Sequence, residues 1–146
     1  MKLYIKHFNE LTTKDLFKIY KARMEVFVVE QNCPYQDIDD IDLVSYHVWL
    51  EDENNNLLAY CRAIPKGVSY KDEASIGRVI CLKRRCGYGT IVVKEAIKII
   101  KEKFKTDQIK IGAQVYAKSF YENIGFIQAS DQYIEDGIAH IKMKLK

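Results

Sequence analysis

The sequence predicts an α/β fold, an α+β mixed sheet layered with helices, in the order β-α-β-β-β-α-β-α-β-β. Three observations carry this. Three apolar runs, at 46–50, 57–64 and 74–82, follow one another across turn-forming residues, as in an antiparallel meander. A longer segment, 90–104, then repeats apolar residues at helical spacing opposite a lysine stripe. A short strand-like run, 109–113, comes directly after it and completes one strand–helix–strand crossover.

Each element has its own signal. Leu3, Ile5 and His7 alternate with Tyr4 and Lys6, as a short strand does. Thr12 or Thr13 offers an N-cap, and Leu16, Ile19, Tyr20, Met24 and Phe27 then mark one apolar helix face. The stretch 31–45 is polar and acidic, with Pro34 near its start. It reads as a long surface loop, and loops of that length usually carry a function. Asp52 to Asn56 forms a hairpin turn, and Pro65-Lys66-Gly67 ends the next strand. In the long helix, Val92, Val93, Ala96, Ile97, Ile99, Ile100 and Phe104 face the sheet, while Lys94, Lys98, Lys101 and Lys105 face away. Tyr116 to Asn123 reads as a short helix that stops before Gly125, and the runs 126–127 and 138–145 close the sheet.

Length and composition fit one domain over 1–146. A chain of 146 residues buries roughly 68–70% of its unfolded surface without staples. Apolar residues make up 48% and charged residues 29%, as in ordinary globular proteins. A net charge of +3, spread rather than clustered, argues against a nucleic-acid partner. Cys33, Cys61, Cys81 and Cys86 form no Cys-x-x-Cys, and the histidines do not sit in metal spacing with them, so no metal is expected. The N-terminus lacks a signal-like apolar region and no run reaches transmembrane length. The expected location is therefore cytoplasmic, with reduced thiols and no membrane partner. A homodimer is compatible with the sequence, which does not fix the oligomeric state.

The most informative stretch is Arg84-Arg85-Cys86-Gly87-Tyr88-Gly89, placed between an apolar run and a helix. Glycines at alternate positions entering a helix N-terminus let several backbone N–H groups point at one anion, and the arginines add fixed charge. The spacing matches neither the Walker pattern nor Gly-x-Gly-x-x-Gly, since Val92 stands where a third glycine would be. A pyrophosphate cradle and a plain basic turn both fit these residues.

A second constellation lies downstream, from Gln114-Val115-Tyr116-Ala117 through Phe120-Tyr121-Glu122-Asn123-Ile124-Gly125-Phe126. With Arg84-x-x-Gly87-x-Gly89 it resembles the GNAT-type N-acetyltransferase superfamily. The block Phe27 to Asp39, the segment Ile76-Gly77-Arg78-Val79 and the segment Glu135 to Ile141 are similar to landmarks of its ElaA-like branch. Arg85 stands where the superfamily often has glycine, Gln114 where many members have asparagine, and the stretch 80–83 is shorter than usual.

The resemblance implies a GNAT-like acyltransferase fold and an acetyl-coenzyme A co-substrate. Its pyrophosphate would lie over Arg84, Arg85, Cys86, Gly87, Tyr88, Gly89 and Thr90. Its pantetheine arm would pair with Val79, Ile80 and Cys81, with the Ile80 N–H as oxyanion donor, and Gln114 would complete that site. Tyr121 aligns with the general acid that protonates the departing thiolate, although a core tyrosine also fits its short amphipathic helix. Glu30, His47 and Asp39 are candidates to deprotonate the amine, and each has an ion-pair, structural or solvated alternative. Tyr35, Asp39, Arg78 and His140 would line the acceptor pocket, each with a packing alternative. Arg78, mid-strand among apolar residues, needs a partner and would orient the acidic loop or bind substrate.

The expected activity is acetyl transfer to a primary amine of a small molecule or peptide. The acidic loop would favour a cationic acceptor. Acylation of a protein or peptide N-terminus, and a non-catalytic acyl-coenzyme A-binding module, are the competing readings. Only an enzyme needs a base and Tyr121.

Overall fold

A computed structural model describes residues 1–83 and 86–145. Its strands and helices are β1 (Lys2–His7), α1 (Thr13–Arg23), β2 (Tyr46–Glu51), β3 (Leu57–Ile64), β4 (Ser75–Cys81), α2 (Tyr88–Lys103), β5 (Lys110–Gln114), α3 (Lys118–Ile124), β6 (Phe126–Gln128), β7 (Tyr133–Glu135) and β8 (Ile138–Leu145). Strands β1-β2-β3-β4 form one antiparallel sheet. In the second sheet β8 pairs with β5, β6 and β7, again antiparallel. The two sheets meet between β4 and β5, which run parallel through the bridge Ala74–Ile109.

Burial explains why β2 and β3 do not alternate apolar with polar. Helix α2 packs on one face of the first sheet, where Val48, Leu50, Cys61 and Ala63 meet Val92, Val93, Ala96 and Ile100. Helix α1 covers the other face, where Ile19 and Ala22 meet Trp49, Tyr60 and Ile80. A strand buried on both faces reads as a continuous apolar run.

Helix α1 starts as the sequence predicts. The Thr12 side chain accepts from Asp15 N at 3.1 Å and Asp15 Oδ2 accepts from Thr12 N at 3.0 Å, a reciprocal cap. Its far end differs. The chain continues as a π-helix over Met24–Glu30, and the buried face is Ile19, Ala22, Arg23, with Val26 and Phe27 packed beside it. Met24, expected inside, is 45% exposed, and its neighbour Arg23 is 0% exposed. The cause is a set of carboxylates waiting inside for the guanidinium.

Those carboxylates come from the acidic stretch. It is not a solvated loop: Asp40–Val44 is a 3-10 turn, and Asp37 and Asp42 are buried. Arg23 donates to Asp42 Oδ1 at 2.6 Å, Asp42 Oδ2 at 3.1 Å and Asp37 Oδ2 at 2.9 Å. Arg62, from β3, donates to Asp39 Oδ1 at 2.6 Å and Asp42 Oδ1 at 2.9 Å. Arg78 Nε, from β4, lies 2.8 Å from Asp37 Oδ1. Burial opposes ionisation of Asp42, but hydrogen bonds and charge from Arg23 and Arg62 override it and hold its pKa below the ordinary value.

The sequence also misses β7. Asp136 and Gly137 take φ of 50° and 75°, and Glu135 pairs with Ile138 across them. Asp-Gly with two positive φ values is the two-residue hairpin turn, so the signal was present. Among the described residues, no helix is long and apolar enough to cross a membrane, and no three His, Cys, Asp or Glu side chains are grouped to hold a metal.

Two stability predictions follow from the buried network. Arg23→Met leaves Asp37 and Asp42 buried with less compensation and should destabilise the fold by about 3–5 kcal/mol, read from urea unfolding; a loss under about 1 kcal/mol would contradict the assignment. The second concerns His47, fully buried, whose Nδ1 lies 2.6 Å from Tyr60 Oη and Nε2 3.0 Å from the Asp42 carbonyl oxygen. Burial pushes its pKa down from 6.5 to about 4. The unfolded chain therefore binds a proton that the folded chain refuses between these values. The contribution is complete above pH 6.5 and falls by about 3 kcal/mol as pH drops toward 4. His47→Gln should flatten that part of the stability–pH curve.

Candidate active site

Strands β4 and β5 stay together only at their first residues. Ala74 N donates to the Gln108 carbonyl at 2.9 Å, and Lys110 N donates to the Ala74 carbonyl at 3.0 Å. Beyond that point the strands splay, and a cleft of about 820 Å³ opens between them. A bulge supports the splay. Gly77 pairs with Arg62 and Ile80 with Tyr60, so Arg78 and Val79 share one place opposite β3. Arg78 sits at φ 50°, a conformation that costs a non-glycine residue of order 1–3 kcal/mol unless its surroundings fix it. Its guanidinium is fixed: Nη2 donates to the Asp37 carbonyl at 3.0 Å and lies 3.5 Å from Asp39 Oδ2, and the group stacks 5.4 Å from the Tyr35 ring.

The edge of β4 that faces the cleft carries backbone donors. Leu82 N donates to the Leu58 carbonyl at 2.8 Å. In an antiparallel ladder such bonds recur at every second residue, so the Ile80 N–H also points at β3 and the Cys81 N–H points at the open edge. The Ile80 N–H, expected to face the thioester, therefore points into the sheet, and the N–H at the cleft edge is that of Cys81. Ile80 still lines the cleft through its side chain, as do Val79 and Cys81.

Helix α2 begins at the open end of β4. Its N-cap is Gly87 at φ 76°, with no side-chain cap. The first N–H groups of a helix lack intrahelical acceptors, so those of Tyr88, Gly89 and Thr90 are available to an anion. Gly87, Gly89 and Thr90 line the cleft. A Cβ on Gly89 would stand 3.3 Å from the Phe120 ring, so glycine lets α2 and α3 approach. Cys86 is exposed beside this turn and Tyr88 packs against the core. Arg84 and Arg85, expected to bind phosphate, lie outside the described residues.

Several expected residues come together here. Tyr35, Asp39, Arg78, Gln114, Tyr121 and His140 all line the cleft. Tyr121 packs edge-on against Phe120 and Phe126, with ring centroids at 5.0 and 5.8 Å, and burial pushes its phenol pKa above the ordinary 10. Gln114 and Gln31 exchange side-chain amide hydrogen bonds at 3.3 Å. The Tyr35 hydroxyl donates to Asp37 Oδ1 at 3.0 Å. His140 Nδ1 lies 2.7 Å from the Ile138 carbonyl, which can only accept, so Nδ1 carries a hydrogen and Nε2 is the nitrogen that bears the lone pair in the neutral ring. Nε2 is 3.8 Å from Glu135 Oε2, and Glu135 also lines the cleft.

Two expected catalytic residues do not join them. His47 is absent from the cleft wall: it is sealed in the core with both ring nitrogens occupied by Tyr60 and Asp42. Glu30 sits exposed at the end of the π-helix, and its neighbour Gln31 lines the cleft instead. Of the four aspartates expected to attract a cationic acceptor, Asp40 is exposed and the other three are taken up in ion pairs. Asp37, Asp39 and Asp42 are paired with Arg23, Arg62 and Arg78, which cancels their field. Sequence reasoning missed Tyr70, Gly112 and Lys142, which line the closed end of the cleft. The alternation of β8 carried a signal for Lys142, since His140 and Lys142 share a face.

Comparison with known proteins agrees with this geometry. The model of the acetyltransferase (GNAT) domain matches residues 17–146. A UPF0039 protein of Schizosaccharomyces pombe is 38% identical over 149 residues, covering 100% of this chain and 97% of that protein. Protein ElaA of Escherichia coli is 37% identical over 141 residues, covering 94% and 91%. Its crystal structure superposes with a TM-score of 0.89 over 99% of both chains. An acyl-CoA N-acyltransferase structure from Pseudomonas aeruginosa, 32% identical, also gives a TM-score of 0.89, over 100% of both chains. The splayed strands, the uncapped helix and the matched relatives give one answer: this chain is an acyltransferase that belongs to the GNAT acetyltransferase family, on the branch that contains ElaA.

Proposed function

We propose that the protein transfers an acetyl group from acetyl-coenzyme A to the primary amine of a small acceptor. The observation that carries this reading is the coincidence, in one cleft, of an open strand edge, an uncapped helix N-terminus and a half-buried tyrosine. These features suit the co-substrate. The strand edge offers the Cys81 N–H to a pantetheine amide or a carbonyl oxygen. The N–H groups of Tyr88, Gly89 and Thr90 suit a pyrophosphate, with Arg84 and Arg85 as added charge. Acetyl-coenzyme A supplies an acyl group already activated as a thioester.

The residues then divide the work. The Cys81 N–H stabilises negative charge on the carbonyl oxygen. The acceptor amine must lose a proton, since a lysine-like amine with pKa about 10.4 is almost wholly protonated at neutral pH. His140 Nε2, with its lone pair held by the Nδ1–H bond to Ile138, takes that proton in place of His47. Tyr121 Oη holds the proton that the departing sulfur needs. Its raised pKa keeps it protonated until a basic thiolate forms.

Two measurements test this. Gly89→Glu places a carboxylate in the anion cradle and a Cβ against Phe120, so coenzyme A binding by calorimetry should fall below detection. Gly87→Glu, where a Cβ meets nothing within 4 Å but φ of 76° strains the backbone, serves as the second variant, with its fold checked by circular dichroism. Unchanged affinity in a folded Gly89→Glu protein would exclude the cradle. Tyr121→Phe keeps the ring and its packing, so coenzyme A affinity and thermal stability should hold while turnover falls by about 10²–10⁴-fold. Full turnover in that variant would make Tyr121 a packing residue only.

A further inference from the structure

The closed end of the cleft carries a polar cluster for which the acetyl-transfer chemistry has no use. Three polar atoms converge over Gly112 of β5. A Cβ built there would stand 3.1 Å from Tyr133 Oη, 3.5 Å from Lys142 Nζ and 3.6 Å from Tyr70 Oη. Glycine therefore keeps a small space open among one ammonium and two phenols. Lys142 Nζ donates to Tyr70 Oη at 3.1 Å and stands 5.2 and 4.8 Å from the Tyr70 and Tyr133 ring centres. Lys110 lies over the same Tyr70 ring at 4.9 Å. Among the described residues no carboxylate pairs with Lys142, whereas Lys144, two residues on, is bonded to Glu73 at 2.9 Å. Tyr133 Oη is buried, and apart from the Lys142 ammonium it has no hydrogen-bond partner among the described residues. A half-buried cation held between two phenols, with no carboxylate beside it, lacks one thing, an anion.

This cluster is separate from the phosphate cradle. Gly112 follows Lys110, which bonds Ala74 at the closed end of the cleft, while α2 begins beyond Cys81. Strand β4 spans seven residues between those ends, roughly 20 Å. The cluster sits instead beside the proposed base. His140 and Lys142 are two residues apart on one face of β8, about 7 Å, and the Tyr133 ring stacks on His140 at 5.8 Å while lying under Lys142. An amine at His140 and an anion at Lys142 fall within one small molecule.

Resting on the acetyl-transfer reading, we infer that Lys142, Tyr70 and Tyr133 form a carboxylate site around Gly112, and that the acceptor is a small amine bearing a carboxylate a few bonds from its nitrogen. Specificity then comes from charge at the far end of the acceptor, not from the acidic segment.

The test compares γ-aminobutyrate, butylamine and putrescine as acceptors, read as kcat/KM by thiol release. The wild type should favour γ-aminobutyrate over both others by at least tenfold. Lys142→Gln should remove most of that ratio through KM, Lys142→Arg should retain it, and Gly112→Ala should lower it by filling the space. Equal or better use of butylamine or putrescine, or a ratio untouched by Lys142→Gln, overturns the site. Should no amine be acetylated, the acetyl-transfer reading fails by itself, and the site is then read by titrating protein labelled with ¹⁵N at lysine side chains. A saturable shift of the Lys142 signal with γ-aminobutyrate but not putrescine supports it, and no shift overturns it.

Discussion

The structure depends on three arginines, two of them buried, and the three aspartates that neutralise them. Arg23 comes from α1, Arg62 from β3 and Arg78 from β4, and Asp37, Asp39 and Asp42 come from one short segment. Unpaired, each charge would be expelled from this interior; paired and hydrogen-bonded, they pin the segment to the sheet. Such a network adds little net stability over apolar residues of equal volume, but it admits one arrangement. The segment therefore becomes a fixed wall of the cleft, contributed by Tyr35, Asp39 and Arg78. The charge of its three paired aspartates is offset where they stand, which leaves the cleft to take much of its polarity from other elements.

The second constraint is the splay of β4 and β5. One parallel bridge at Ala74 and Ile109 joins the sheets, and the bulge at Arg78 and Val79 turns β4 away. A paired strand has no donor to offer a ligand; a strand with one free edge does. The positive φ of Arg78 and the arginine network are thus one device, since the guanidinium contacts to Asp37 hold the strained backbone that opens the edge. Around that edge the fold gathers groups from distant parts of the chain: the start of α2, Tyr121 from α3, and His140 and Lys142 from β8.

The two histidines show how burial assigns chemistry. His47 and His140 both sit on strands, and both have a ring nitrogen against a backbone carbonyl. His47 has its second nitrogen on Tyr60 and no access to solvent, so it is a neutral crossbeam between the sheet and the acidic segment. His140 keeps its second nitrogen toward Glu135 at the cleft. Residue type alone could not separate them.

The sequence by itself determined the layered α/β class, the meander, the lysine-striped helix α2, a threonine cap at Thr12 or Thr13 and the glycine turn into α2. All of these are local, fixed by periodicity and by backbone preferences within a few residues. It also held the Asp136-Gly137 hairpin signal in plain view. Tertiary structure alone decided that Arg23 lies inside and Met24 outside, because the partners of Arg23 stand 14 and 19 residues away. It alone turned the Ile80 N–H into the sheet and the Cys81 N–H to the open edge, since that alternation depends on the register against β3. It alone brought Tyr70 to Lys142, 72 residues on, over a glycine with no side chain to announce it. Local pattern encodes the elements; partners far apart in the chain decide which charges are buried and which backbone groups stay free.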